Sequence, residues 1–334
     1  MANKRISNLP EYNTPQPNDV FPIVNIASSI TQKIPFSAVN DTILSTVIII
    51  SGDVSNSTLR KDNSNVASAS GVTVFGVNNT ASSEYSAIGG GLNNLISTCY
   101  SVIGGGCCNL IVNEYSTISG GLNNSISGGC STIGGGFCNT ASGDYSTVGG
   151  GTNNSASGQT STVSGGYCNT ASGNYSTVGG GRRNTASDYY STVGGGYCNT
   201  ASGNRSTVSG GVNNSASGDY STVGGGLNNL TLGNYSIVSG GACNLIYGGV
   251  GTYSIITGGQ CNQICGKIDY GVILGGFKNC LTHDHSFIAG SEITSVSSCT
   301  LHANRLWLGS LPTSSAGLPT GTVWNNSGIL RIVM

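Results

Sequence analysis

The side chains able to do chemistry in this chain recur at multiples of 15 residues, and that spacing bounds what they can do. Glu84, Glu114, Asp144 and Asp219 fall at one position of the repeat, two repeats or more apart. If each repeat is one coil of stacked strands at about 4.8 Å, neighbouring acids stand about 10 Å apart, marginal even for an inverting pair of glycosidase carboxylates. They read as solvated corner residues. The chain has no Gly-x-Ser-x-Gly elbow and no calcium-binding nonapeptide, so no enzymatic activity and no cofactor are expected.

Cys108, Cys138, Cys168 and Cys198 recur every second repeat. At about 9.6 Å they exceed the roughly 7 Å Cα separation that a disulfide tolerates. Cys243 and Cys261 lie in adjacent repeats and form the plausible intrachain pair; the thiols are otherwise expected to be free. His283 and His285 flank Asp284. On an extended strand they would share one side, and copies around an axis would bring their imidazoles to one transition metal; two solvated turn histidines are the other reading. Tyrosines recur at Tyr85, Tyr115, Tyr145, Tyr175, Tyr190, Tyr220, Tyr235 and Tyr270. An exposed aromatic row suits either a chain-to-chain seam, with apolar bodies buried and hydroxyls wet, or contact with a glycan.

The element positioning all of these is the unit Y-S-T-V-G-G-G-x-x-N-x-A-S-G-x, running from Tyr85 to about Cys299. A fixed period of this length marks a solenoid in which neighbouring coils bury what one coil cannot. Glycine runs, β-branched residues and Asn-rich corners disfavour helix and suit short strands joined by turns. Counting the tyrosine as place one, place four is always Ile or Val: Ile88, Ile103, Ile118, Ile133, Val148, Val163, Val178, Val193, Val208, Val223, Val238, Ile256, Ile273 and Ile288. By strand alternation, places two, four and six are assigned to the interior, as are places ten, twelve and fourteen. Place ten carries Asn94, Asn109, Asn124, Asn139, Asn154, Asn169, Asn184, Asn199, Asn214, Asn229, Asn244, Asn262 and Asn279. Stacking would align these amides in a ladder, each bonding the one above and below. The expected fold is all-β, a parallel β-roll or slim β-helix, with turns near places seven to nine and fifteen to one.

Composition excludes other classes. With 54 glycines and only 7% charged residues the chain is unlike an ordinary globular domain. A net charge of −1 offers no footprint for nucleic acid. No apolar run approaches the roughly 20 residues that span a bilayer, and Met1 to Pro17 lacks the apolar segment of a signal peptide, so neither membrane insertion nor export is expected. One Val or Ile and one Ala or Ile per coil make a thin core that invites oligomerisation, and Gly-Gly-Gly edges let backbones approach closely; a homotrimer is expected. Residues 70–299 form the shaft. The composition changes in residues 1–69, with the strand-like run Ser45-Thr-Val-Ile-Ile-Ile50, and in residues 300–334, with Trp307, Trp324 and Ile329-Leu-Arg-Ile-Val333. Both ends read as small β caps, one of them an anchor.

The repeat Asn169-Thr-Ala-Ser-Gly-Asn-Tyr-Ser-Thr-Val-Gly-Gly-Gly181 resembles the head repeats of trimeric autotransporter adhesins. That resemblance implies a left-handed parallel β-roll in a trimer, although those heads usually repeat at one residue fewer. The ends are similar to those of bacteriophage virion fibre and tail proteins: Arg5-Ile-Ser-Asn-Leu-Pro10, Asp19-Val-Phe-Pro-Ile-Val24 and Thr31-Gln-Lys-Ile34 at the start, Leu301-His-Ala-Asn-Arg305 and Gly317-Leu-Pro-Thr-Gly-Thr-Val-Trp324 at the close. Together these imply a structural phage head or tail fibre, made in the host cytoplasm and carried on the virion. It would attach to other virion proteins through one terminus and adhere to a host-surface glycan or protein, and fibres of this group include trimeric metal sites. A bacterial surface adhesin of the trimeric autotransporter type is the alternative. An ice-binding β-helix is the rival of another class, but its usual Thr-x-Thr array is replaced here by Ser-Thr-Val.

Overall fold

The computed structural model describes residues 20–25, 30–35, 58–59, 65–248, 252–305, 311–320, 322–326 and 329–333. The run Ser45–Ile50, Trp307 and the first motif at Arg5–Pro10 lie outside them. Contacts divide the chain into two compact units, Met1–Asn213 and Asn214–Met334, which share one kind of coil. The fold is all-β, a parallel solenoid of about 16 coils, with no helix among the described residues.

Each coil contributes two strands of two residues. Val102–Ile103 pairs in parallel with Ala87–Ile88 before it and Thr117–Ile118 after it, residue matched to residue at the repeat spacing. Leu110–Ile111 pairs in the same way with Leu95–Ile96 and Ser125–Ile126. In the second unit the spacing between Asn244 and Asn262 lengthens to 18 without interrupting the pairing of Leu245–Ile246 with Gln263–Ile264. Pairing extends past both expected shaft boundaries, from Thr58–Leu59 against Thr73–Val74 to Phe287–Ala289 against Leu301–Ala303. Two antiparallel hairpins complete the described elements: Val20–Asn25 with Ile30–Pro35, and Val323–Asn326 with Ile329–Ile332.

The interior follows the alternation at places two, four, ten and twelve. The Ile and Val of place four and the Ile or Ala of place twelve are fully buried, and so are the serines of place two and the asparagines of place ten. Place six departs from the expected pattern: Gly90 and its counterparts are half-buried at the edge, because the strand ends at place four and the glycines turn the corner.

Both corners use left-handed backbone at residues other than glycine. Place nine has φ near 55° at Asn93, Cys138 and Arg183, and place one likewise at Tyr115, Tyr145 and Arg205. Such residues cost on the order of 1–2 kcal/mol each relative to ordinary backbone. The return is a reversed N–H: strand residues donate towards the following coil, as Leu95 does to Asn109 O, whereas Tyr100 donates back to Glu84 O and Asn93 back to Val77 O. Each corner is thereby bonded in both directions.

Candidate functional site

The asparagine ladder is a three-coil clamp. The amide oxygen of Asn94 accepts the backbone N–H of Asn109 at 3.0 Å, while Nδ2 of Asn109 donates to Gly105 O in its own coil and Gly121 O in the next. The pattern recurs at Asn169, whose Nδ2 reaches Gly165 O at 2.9 Å and Gly181 O at 2.8 Å. Amide-to-amide bonds add to it at some coils, as between Asn244 and Asn229. The ladder therefore joins mainly side chain to backbone, since one oxygen and one amino group of a fixed side chain meet more backbone groups than amides.

Place one projects tyrosines outward in stacked runs. In the first unit Tyr85, Tyr100 and Tyr115 stack with ring centroids 5.3 and 5.1 Å apart, and Tyr175 stacks on Tyr190 at 4.9 Å. In the second, Tyr220, Tyr235, Tyr253 and Tyr270 form a run that ends on His285. The distances match the coil rise, so within a run each ring face is occupied by the next ring. Desolvation in the stack, followed by its neighbours Tyr115 and Tyr85, pushes the Tyr100 hydroxyl above its ordinary pKa. The run is interrupted at Cys130, Thr160 and Arg205; Arg205 lies over the Tyr190 ring at 5.6 Å.

A second outward ladder, not singled out in the sequence reading, runs along place eight. Leu92, Cys107, Leu122, Phe137, Thr152, Tyr167, Arg182 and Tyr197 bridge in succession. Its apolar members are about 40% exposed, among them Leu92, Phe137 and Tyr167 at 41%. The guanidinium of Arg182 sits between two tyrosines, 5.4 Å from the Tyr167 ring and 5.6 Å from that of Tyr197. Reading residues at intervals of 15 would have exposed this row, but its mixed composition hides it.

The remaining groups separate. Glu114 and Asp144 line one open cleft of about 210 Å³ with Asn113, Gly129, Cys130 and Tyr145. His283 and His285 lie on a turn and not on an extended strand, with His285 at φ 53°. The sharing of one strand face is thus lost: Nδ1 of His283 is within 3.0 Å of Thr282 Oγ1 and of Ser295 Oγ, while the His285 ring lies against Tyr270 at a 30° tilt. Among the described residues no group of three or more His, Cys, Asp or Glu is placed to hold a metal ion. All twelve cysteines are free, Cys243 and Cys261 included. Two pairs come close instead: Cys265 and Cys280 from neighbouring coils, with Sγ atoms 3.2 Å apart, and the sequence neighbours Cys107 and Cys108, 3.0 Å apart. Burial, then the hydrogen bond to Cys280, pushes the Cys265 thiol up to about 12.

The Ubiquitous surface protein adhesin repeat matches residues 161–173. That segment spans Thr162–Val163, the glycine corner and Thr170–Ala171 of one coil. No curated protein matches the chain. The repeat match and the solenoid fold together fit a repetitive, adhesin-like or fibrous protein.

Proposed function

We propose that this protein is the shaft of an attachment fibre that works as a homotrimer and has no enzymatic role. The observation carrying the reading is how the coil spends its groups. The buried Asn bond coil to coil, as do serines such as Ser131, whose Oγ accepts the N–H of Ser146, and the outer surface is left as long parallel rows. Such an object is suited to span distance and present repeated side chains.

The proposed seam is the glycine edge with the adjoining place-eight ladder. Place seven must be glycine for reasons internal to the chain: a Cβ on Gly106, at φ 91°, would meet Gly121 O of the next coil. Place six has no such reason at Gly90 or Gly240, where a Cβ would meet nothing within 4 Å. At Gly135 and Gly180 a φ of 137° and 145° itself favours glycine, but where the edge is bare without intrachain need, as at Gly90 next to exposed Leu92, it suits close approach by another copy. Sedimentation should show a trimer at micromolar concentration, and Gly90→Val should weaken it while leaving the coil folded. A stable folded monomer of the unaltered chain would refute this.

The owner we propose is a bacteriophage virion, on the terminal segments that resemble phage fibres. One end would bind other virion proteins and the shaft would reach a host-surface glycan or protein, without nucleic acid or membrane insertion. The adhesin-repeat match favours a second reading, a bacterial surface adhesin of the trimeric autotransporter type. Immunogold labelling distinguishes them: label on particles supports the first, label on intact uninfected cells the second.

A further inference from the structure

Place one is missing a ring at Cys130. On its N-terminal side Tyr115 stacks on Tyr100. Its other side faces the coil of Cys130, and the next tyrosine, Tyr145, is stacked on no ring and is 59% exposed, more than any other described tyrosine. The neighbouring place fifteen is vacant as well, because it is Gly129. The two omissions open the cleft of about 210 Å³ whose lining includes Glu114, Asp144 and Tyr145.

The carboxylate and amide oxygens lining this cleft are acceptors. Asp144 Oδ1 accepts the N–H of Gly129 and Asn113 Oδ1 that of Glu114, while the amino group of Asn113 is turned away to Ser127 O. A Cβ on Gly129 would stand 3.6 Å from both Asn113 Oδ1 and Asp144 Oδ1, so these oxygens converge over the glycine. The sequence holds no Lys, Arg or His between Lys61 and Arg182, so the two carboxylates have no basic neighbour along this stretch of the solenoid. The cleft therefore calls for a cation that donates hydrogen bonds and has a flat face for a ring.

The same unit shows which cation fits a missing rung. Arg182 occupies one position of the place-eight ladder between Tyr167 and Tyr197, two coils apart, with its guanidinium 5.4 and 5.6 Å from their centroids. Tyr115 and Tyr145 are likewise two coils apart, with Cys130 between them where Arg182 stands in the other ladder. A guanidinium is planar, carries only donors, stacks on aromatic faces and pairs with carboxylates in a fork, which an ammonium does not. At the other gap beside Tyr145, at Thr160, place fifteen carries Gln159, and Asp144 is the one adjoining acid.

We propose that the gap at Cys130 is a binding site for a guanidinium group, as carried by an arginine side chain, which completes the tyrosine ladder and is held by Glu114 and Asp144. The inference is independent of the attachment reading; it requires that the tyrosine face be open in the assembled protein.

Alkylation of the exposed Cys130 thiol by iodoacetamide, mapped by mass spectrometry, tests this with N-acetyl-argininamide as probe and the exposed Cys243 and Cys299 as internal references. The probe at about 10 mM, the range a ligand of roughly millimolar affinity requires, should slow modification of Cys130 several-fold and leave the references unchanged. N-acetyl-lysinamide and glucose should protect far less. By calorimetry, Glu114→Gln and Asp144→Asn should each weaken binding about two- to five-fold, the range for solvent-exposed ion pairs. Cys130→Tyr should abolish it by supplying the missing ring, and it should fold, because tyrosine already occupies this backbone at Tyr115 and Tyr145 with φ of 56° and 58°. The proposal is overturned if Cys130 is unreactive without ligand, which means the cleft is covered. It is overturned equally if lysinamide or glucose protects as well as argininamide, or if Cys130→Tyr still binds.

Discussion

Replacing Asn169 should separate the clamp from mere filling of the interior. Asn169 is fully buried. Its oxygen accepts the N–H of Asn184 at 3.0 Å and its amino group serves Gly165 O and Gly181 O. In Asn169→Ala, Gly181 O keeps the N–H of Tyr167, and the half-buried Gly165 O can turn to water. The N–H of the buried Asn184 has no such recourse. An orphaned buried donor costs about 1–3 kcal/mol and the lost amino-group bonds about 1 kcal/mol more, for a total of roughly 2–4 kcal/mol. At about 2–4 °C per kcal/mol for a unit of this size, the melting temperature should fall on the order of 5–15 °C. Asn169→Asp keeps the shape and the acceptor for Asn184 but sets a carboxylate oxygen against two carbonyls. Burial and these carbonyls raise its folded pKa above the unfolded value of about 3.9. The folded state then binds the proton more tightly, so the destabilisation is full at high pH and fades as pH falls through the raised pKa. The Asp variant should be worse than Ala at pH 7 and recover towards pH 4, where a protonated acid donates to a glycine carbonyl. Thermal and urea melts followed by circular dichroism between pH 4 and 8 provide the assay. An Ala variant within about 0.5 kcal/mol of the parent, or an Asp variant that gains nothing on acidification, would refute the clamp.

Other perturbations have equally defined outcomes. The hydroxyl of Ser176 is buried without a partner, so Ser176→Ala should be neutral or stabilising by up to about 1 kcal/mol; Ser131→Ala, which removes a 2.9 Å bond to Gly143 O, should cost about 1 kcal/mol, and comparative melts decide it. Gly181→Ala places a Cβ 2.3 Å from Gly196 O at φ 85° and should cost more than about 2 kcal/mol by the same assay. The raised pKa of Cys265 leaves little thiolate near neutrality, so its alkylation should keep accelerating above pH 9 and lag behind that of exposed Cys299. With excess diamide as oxidant, Cys265 and Cys280 should pass two electrons and two protons to the reagent and join, ahead of the Cys243 and Cys261 pair, as read by peptide mapping under non-reducing conditions.

Strand content, the 15-residue coil, the buried Ile and Val of place four and the buried Asn of place ten were legible in the sequence alone. The reason is physical: a stacked coil repeats one environment, so a requirement imposed once is printed at every turn of the chain. The tertiary structure decided what depends on distances across coils and on backbone conformation at corners. Left-handed φ at Tyr145 or Cys138 is not announced by residue type, because neither is a usual occupant of that region. The place-six glycines proved to be edge and not interior, because two-residue strands end before alternation can carry them inward. His283 and His285 lie on a turn, which decides between the two readings their sequence allowed and removes the shared strand face. The cysteines that meet between coils, Cys265 and Cys280, lie on a diagonal between neighbouring strands that the repeat alignment does not match. The cleft at Cys130 is a departure from the repeat: sequence periodicity displays what is shared between coils, whereas a site made by the omission of a ring and a side chain takes its shape from the coils on either side.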